Sequence, residues 1–140
     1  MSNLLSKLHA LTDEILSYEL QRRENRHKLT QTIDALELGE KLSVYEDIFF
    51  FKAMNVTGIS LQDNNLGEIQ KNRYVQILAI HPDEDGKMKN ISLGYYGKSD
   101  TLDESLKAKI IEFILRWRYE KSFYQVTHYE KLLKKLPQHD

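Results

Sequence analysis

Cysteine is absent from the 140 residues, which removes disulfides, thiolate zinc sites and cysteine nucleophiles together. Its absence fits a reducing compartment. A surplus of charge is also missing, with 20 Lys and Arg against 21 Asp and Glu, so no protein-wide basic field exists to gather nucleic acid. Neither end is strongly basic: residues 1–50 hold six Lys/Arg against nine Asp/Glu, and residues 98–140 hold nine against seven. No apolar run exceeds four residues, as at Ile48-Phe49-Phe50-Phe51, far short of a bilayer span. The first residues lack the apolar core of a signal peptide. The expectation is one domain with an appended helix, intracellular and cytoplasmic, with no membrane partner.

What is present begins with a helix. Leu4, Leu8, Leu11, Ile15 and Tyr18 recur at spacings of four and three, the a/d seam of an amphipathic helix. The next seam positions, Arg22 and Asn25, are polar, and apolar spacing resumes at Leu29, Ile33 and Leu36. The stripe reads either as packing on the protein's own body or as a homodimer face. Gly39 is the candidate stop, giving a helical segment over 1–40 and an α+β domain over 41–140. The stretch 43–54 is ambiguous between strand and helix, and its three phenylalanines are expected to bury.

Three strands follow. Residues 57–62 form the first, 63–72 a polar connection, 73–80 the second, and 87–93 the third, ended by Gly94, so the sheet spans 57–94. Asp85-Gly86 is a hairpin signal between the last two. Thr101-Leu102-Asp103-Glu104 reads as a capping box opening a helix over 102–119. That helix buries Leu106, Ile110, Phe113, Ile114 and Trp117. A second helix over 123–136 carries Val126, Tyr129, Leu132, Leu133 and Leu136, with Phe123, Tyr124 and Tyr129 at core spacing. The fold class expected is α+β.

Several motifs fail on inspection. Gly94-Tyr95-Tyr96-Gly97-Lys98-Ser99 resembles a phosphate loop, but that loop needs four residues between its glycines to wrap the phosphates in backbone amides. Asp83-Glu84-Asp85-Gly86 suggests a calcium loop, yet with Gly86 sixth, His81 and Ser92 occupy positions that require carboxylates. His9, His27, His81, His128 and His139 show no metal-ligand spacing, and no nucleophile elbow is present. No cofactor, metal or catalytic constellation is expected, and the chain reads as a binding protein.

Strand alternation separates two faces. Val75, Ile77, Ala79, Ile91 and Leu93 point inward. Ser60, Gln62, Tyr74, Gln76, Asn90 and Ser92 point outward, with Lys71, Arg73 and Lys87 near the strand ends and Lys89 on the side of Ile91 and Leu93. Asn and Gln read adenine in the major groove, and an antiparallel ribbon fits there.

In this order and spacing the chain resembles the APETALA/ethylene-response-factor type DNA-binding domain and the integrase arm-type module. The matching pieces are Gly58-Ile59-Ser60, Arg73-Tyr74-Val75-Gln76-Ile77, Ile91-Ser92-Leu93-Gly94-Tyr95-Tyr96 and Thr101-Leu102-Asp103-Glu104-Ser105, about half the chain. The resemblance implies a three-stranded sheet in the major groove with a helix behind it, in a phage or mobile-element regulator. Its base-contacting positions fall on Ser60, Gln62, Tyr74 or Gln76, Asn90 and Ser92, none of them Arg or Trp. Phosphate contacts would come from Lys71, Arg73, Lys87 and Lys89. The alternative reading is a protein-interaction module: an inhibitor of a partner protein, or a coiled-coil-plus-globule adaptor of the RWD kind dimerising through residues 4–18.

Overall fold

The computed structural model describes residues 2–137. Met1, with which the helical segment expected over 1–40 begins, and residues 138–140, which include His139, lie outside them, as do the side chains of Ser2, Ile15 and Leu16. The protein is α+β, as its patterning predicts: an N-terminal helix, a three-stranded antiparallel sheet and a C-terminal helix.

Helix α1 runs over Ser2–Ala35 without a break at its polar middle. It stops ahead of Gly39, because Glu37 takes a left-handed φ of 56°. The amide of Leu38 donates to the Ile33 carbonyl at 3.0 Å and that of Glu37 to the Asp34 carbonyl at 3.1 Å. This is a Schellman closure with Glu where Gly is usual. It turns Leu38 into the core. Gly39 instead opens a one-turn helix, α2, over Gly39–Leu42.

The phenylalanine stretch is a 3-10 turn over Ile48–Phe50, capped by Asp47, whose carboxylate accepts from the Phe49 amide at 2.8 Å. Of the three rings expected to bury, Phe51 is fully enclosed and Phe49 partly so, but Phe50 is 67% exposed. A turn points successive side chains in different directions, so three adjacent rings cannot share one face.

The first strand, β1, spans Ala53–Val56 rather than 57–62, with Met54 and Val56 buried. Gly58 ends the extended run with a φ of +80°, a conformation open to glycine at little cost. A Cβ there would lie 3.2 Å from the Tyr74 carbonyl oxygen. Residues 57–73 form a folded loop: the Ser60 amide donates to the Glu68 carbonyl at 2.9 Å and the Gln70 amide to Gly58 at 3.0 Å. Ser60 and Gln62, expected on the outer sheet face, therefore sit in this loop and not in a strand.

Strand β2 spans Tyr74–Pro82 and β3 spans Met88–Lys98, in the order β1-β2-β3. The hairpin falls at Asp85-Gly86 as expected, with Gly86 at φ +83°. The Asp83 carboxylate accepts from the amides of Asp85 and Lys87, each at 2.9 Å, so this acidic tip is turn chemistry. Gly94 does not end β3. The register slips opposite Ile77/Leu78 and again opposite Tyr74/Gln76, and these irregularities carry the strand on to Lys98. Tyr96 folds back over Gly94, where a Cβ would meet its hydroxyl at 2.5 Å.

One helix, α3, occupies Glu104–Lys134 in place of the two expected. Residues 120–122 contain neither Gly nor Pro nor a stop signal, so nothing breaks it. The cap is Asp103, accepting from the Leu106 amide at 3.2 Å, while the Thr101 hydroxyl donates to the Lys98 carbonyl. Ile110, Phe113, Ile114 and Trp117 are buried as expected. They pack with Val75, Ile77, Ala79 and Leu93 from the sheet, Leu29 from α1 and Leu36 from the turn after it in one core. The Trp117 indole N–H donates to the Ile48 carbonyl at 3.0 Å.

Candidate functional site

The inner face of the sheet is occupied by this core, which leaves its outer face open. On β2 burial alternates, so Tyr74, Gln76, Leu78 and Ile80 share the outer face. Pairing sets Asn90 opposite Ile80, Ser92 opposite Leu78 and Tyr95 opposite Gln76. On the other side Asn55 lies opposite Leu78. The rings of Tyr74 and Tyr95 are 5.9 Å apart. The fold thus brings Tyr74, Gln76, Asn90 and Ser92 together, as the alternation predicts, around two aliphatic side chains.

The remaining predicted residues do not join them. Ser60 is nearly enclosed, its hydroxyl donating to Asn65 Oδ1 at 2.6 Å. Gln62 is exposed in the same loop. Lys71 and Arg73 precede β2 and are exposed, with Arg73 Nη1 donating to Gln70 Oε1 at 2.9 Å. Lys87 belongs to the hairpin turn, and Lys89 pairs with Asp83 at 3.5 Å. No described cation occupies the centre of this face.

A second surface was half legible. Helices α1 and α3 run antiparallel: Asn25 meets Arg116, Arg22 meets Glu120, and the Tyr18 and Phe123 rings meet edge to face at 5.0 Å. Beyond Tyr18 and Phe123 no described side chain of either helix is buried. Leu4, Leu8, Leu11 and Tyr18 are all exposed. Ile15, the remaining position of the stripe, has its side chain outside the described residues. On α3, Tyr124, Val126, Tyr129, Leu132 and Leu133 are exposed too, where core spacing had suggested burial. The body ends near Phe123: the Tyr124 ring still stacks on Phe49 at 4.7 Å, but the residues beyond it keep their periodicity without being buried by any described part of the chain.

The polar cluster at the base of this hairpin was missed. Glu120 is fully buried, with Arg22 Nη2 at 3.0 Å, Arg26 Nε at 3.2 Å and Asn25 Nδ2 at 3.4 Å. Arg116 adds a bond to Asn25 Oδ1 at 3.1 Å and an ion pair to Glu112 at 3.0 Å. A signal existed: Arg22 and Asn25 hold seam positions, and Glu120 lies three residues after Trp117 on the buried stripe. Polar groups at buried positions demand polar partners.

Among the described residues no group of His, Asp or Glu is placed to hold a metal ion, and no helix is long and apolar enough to cross a membrane. The architecture defines a small α+β module carrying an antiparallel helical hairpin. In comparison with known proteins, the chain matches no family model, no curated protein and no solved structure.

Proposed function

We propose that this protein is a protein-interaction module that dimerises through its helical hairpin. The observation that carries the reading is the bare tip: Leu4, Leu8, Leu11 and Leu133 are each more than half exposed. Clustered exposed apolar side chains on one element mark an interaction surface. Residues 2–17 alone make about 24 Å of helix at ~1.5 Å per residue, ample for a four-helix interface. A second copy is the occupant because the two helices are oppositely charged there. Residues 3–20 carry Asp13, Glu14 and Glu19 against Lys7, whereas residues 121–136 carry Lys121, Lys131, Lys134 and Lys135 against Glu130. A two-fold pairing sets the acidic helix of one copy beside the basic helix of the other, so the same patch complements itself. Light scattering at rising concentration tests this. The dimer is expected for the native chain, and Leu8→Glu with Leu11→Glu is expected to be monomeric with unchanged circular dichroism. A native monomer at high concentration ends the reading.

The open sheet face favours a second reading, contact with the major groove of duplex DNA, as the resemblance to the ethylene-response-factor domain implies. Gln76, Asn90 and Ser92 on adjacent strands support it, while the central Leu78 and Ile80 suit a protein surface better. Fluorescence anisotropy against random duplex at low salt separates the two. Binding that weakens with salt and with Arg73→Ala supports DNA, and none at any concentration removes it.

A further inference from the structure

The free edge of β1 closes one side of a polar cleft of about 440 Å³, whose wall includes Asn55, Thr57, Gln62, Gln70, Arg73 and Arg118. Two guanidinium groups therefore share one cleft, and no carboxylate lines it. Arg22, Arg26 and Arg116 pair with glutamates, whereas Arg73 and Arg118 have no carboxylate partner among the described residues.

The hydrogen bonds already made in the cleft engage most of its side-chain acceptors. Asn55 Oδ1 accepts from the Val56 amide at 2.9 Å and from Arg118 Nη2 at 3.3 Å. The Met54 carbonyl accepts from Arg118 Nε at 3.2 Å and Nη2 at 2.9 Å. Gln70 Oε1 accepts from Arg73. These bonds fix both amides with their oxygens inward and engaged, so their NH₂ groups remain as donors. The Thr57 hydroxyl donates to the Tyr74 carbonyl and accepts from the Gln76 amide, and the Ser60 hydroxyl is likewise engaged on both sides. What is left among the side chains is mostly donors: Arg118 Nη1, Arg73 Nε and Nη2, Asn55 Nδ2 and Gln70 Nε2, with the Gln62 amide, which offers one oxygen and one NH₂, unengaged at the wall. Arg118 is also held in place by the strand edge, so less freedom is lost when it binds.

We infer that this cleft binds a small phosphate-bearing ligand. A cleft with two guanidinium forks, spare amide donors and few free acceptors matches a ligand that only accepts, and a phosphoryl group offers acceptor oxygens in the geometry that guanidinium forks favour. The volume falls in the roughly 300–1,000 Å³ range of small-molecule sites, which leaves room for an organic group beside the phosphate. The inference concerns a different surface from the hairpin and stands whether or not the chain dimerises.

Titration of the full chain, followed by amide chemical shifts, tests it with three probes at low salt: inorganic phosphate, a nucleoside 5′-monophosphate, and the matching nucleoside without phosphate. Saturable shifts at Gly58, Gln70 and Arg73 are expected for the first two and none for the third. Tighter binding of the monophosphate than of inorganic phosphate assigns the organic moiety to the cleft, and equal binding assigns the phosphate alone. Arg73→Gln, at an exposed position outside the core, is expected to weaken binding about tenfold or more. Arg118→Lys keeps the charge but loses the fork, and is expected to weaken it as well. Absence of saturation for both phosphates overturns the inference. So does binding that Arg73→Gln leaves unchanged, or equal shifts from the bare nucleoside.

Discussion

Tyr96 illustrates how one side chain carries both a packing gain and a polar cost. Its ring folds over Gly94 against the core, yet its hydroxyl is buried without a partner. An orphaned buried hydroxyl costs about 1–3 kcal/mol, so Tyr96→Phe is expected to stabilise the fold by about 1 kcal/mol in urea titration. Burial also pushes the phenol above its ordinary value of 10.0. The folded state then keeps the proton where the unfolded chain begins to release it. The contribution is intact below about pH 10 and is lost as pH rises through the raised value. The phenylalanine variant is expected to show a shallower alkaline fall in stability than the native chain. Glu37 is a second residue-scale case. Its left-handed backbone is cheap only for glycine, and its side chain is exposed. Glu37→Gly is expected to stabilise by about 0.5–1 kcal/mol, read as a higher melting temperature. An unchanged or lower melting temperature would show that the glutamate side chain contributes something the backbone argument omits.

At the scale of elements, legibility followed the strength of local signals. Strand β2 was read almost to the residue because it is rich in Val, Ile and aromatic residues and Pro82 closes it, while Val75, Ile77 and Ala79 fall on one face by alternation. The hairpin was read from Asp85-Gly86, whose turn needs a positive φ. Helix α3 was read at its buried stripe but split in two, because the polar run Glu120-Lys121-Ser122 interrupts the apolar spacing and looks like a boundary when only periodicity is available. Strand β1 was displaced because Gly58, taken as the opening of a strand, is the residue that closes one, and the four strand residues before it follow a turn of aromatics with no alternation. The buried Glu120 cluster depends on residues 91 to 98 positions apart, which no local pattern connects. Removing its centre by Glu120→Ala leaves Arg22 without its partner, and is expected to destabilise by about 3 kcal/mol in chemical denaturation. Arg22→Met with Glu120→Leu removes both charges together and is expected to recover most of that loss.

For the whole molecule, the proposed dimer ties stability to concentration. If the hairpin tips bury one another, the melting temperature rises with protein concentration by mass action. Scans over a hundredfold range are expected to show this for the native chain and not for the Leu8→Glu, Leu11→Glu variant. A flat response in both removes the dimer.

The order of the chain sets a timetable for folding. The meander joins neighbours in sequence, whereas the contact between Arg22 and Glu120 closes a span of 98 residues, which is entropically slow to form. The order expected on this ground is the sheet and the first turns of α3 early, with α1 docking last. A contact absent from the rate-limiting step acts on escape from the native state and not on entry to it. Stopped-flow measurements on Glu120→Ala are accordingly expected to show unfolding accelerated by most of the stability loss, with refolding close to the native rate. The buried charge cluster would thus act as a latch on the lifetime of the folded protein, and slowed refolding in that variant would place α1 in the folding nucleus instead.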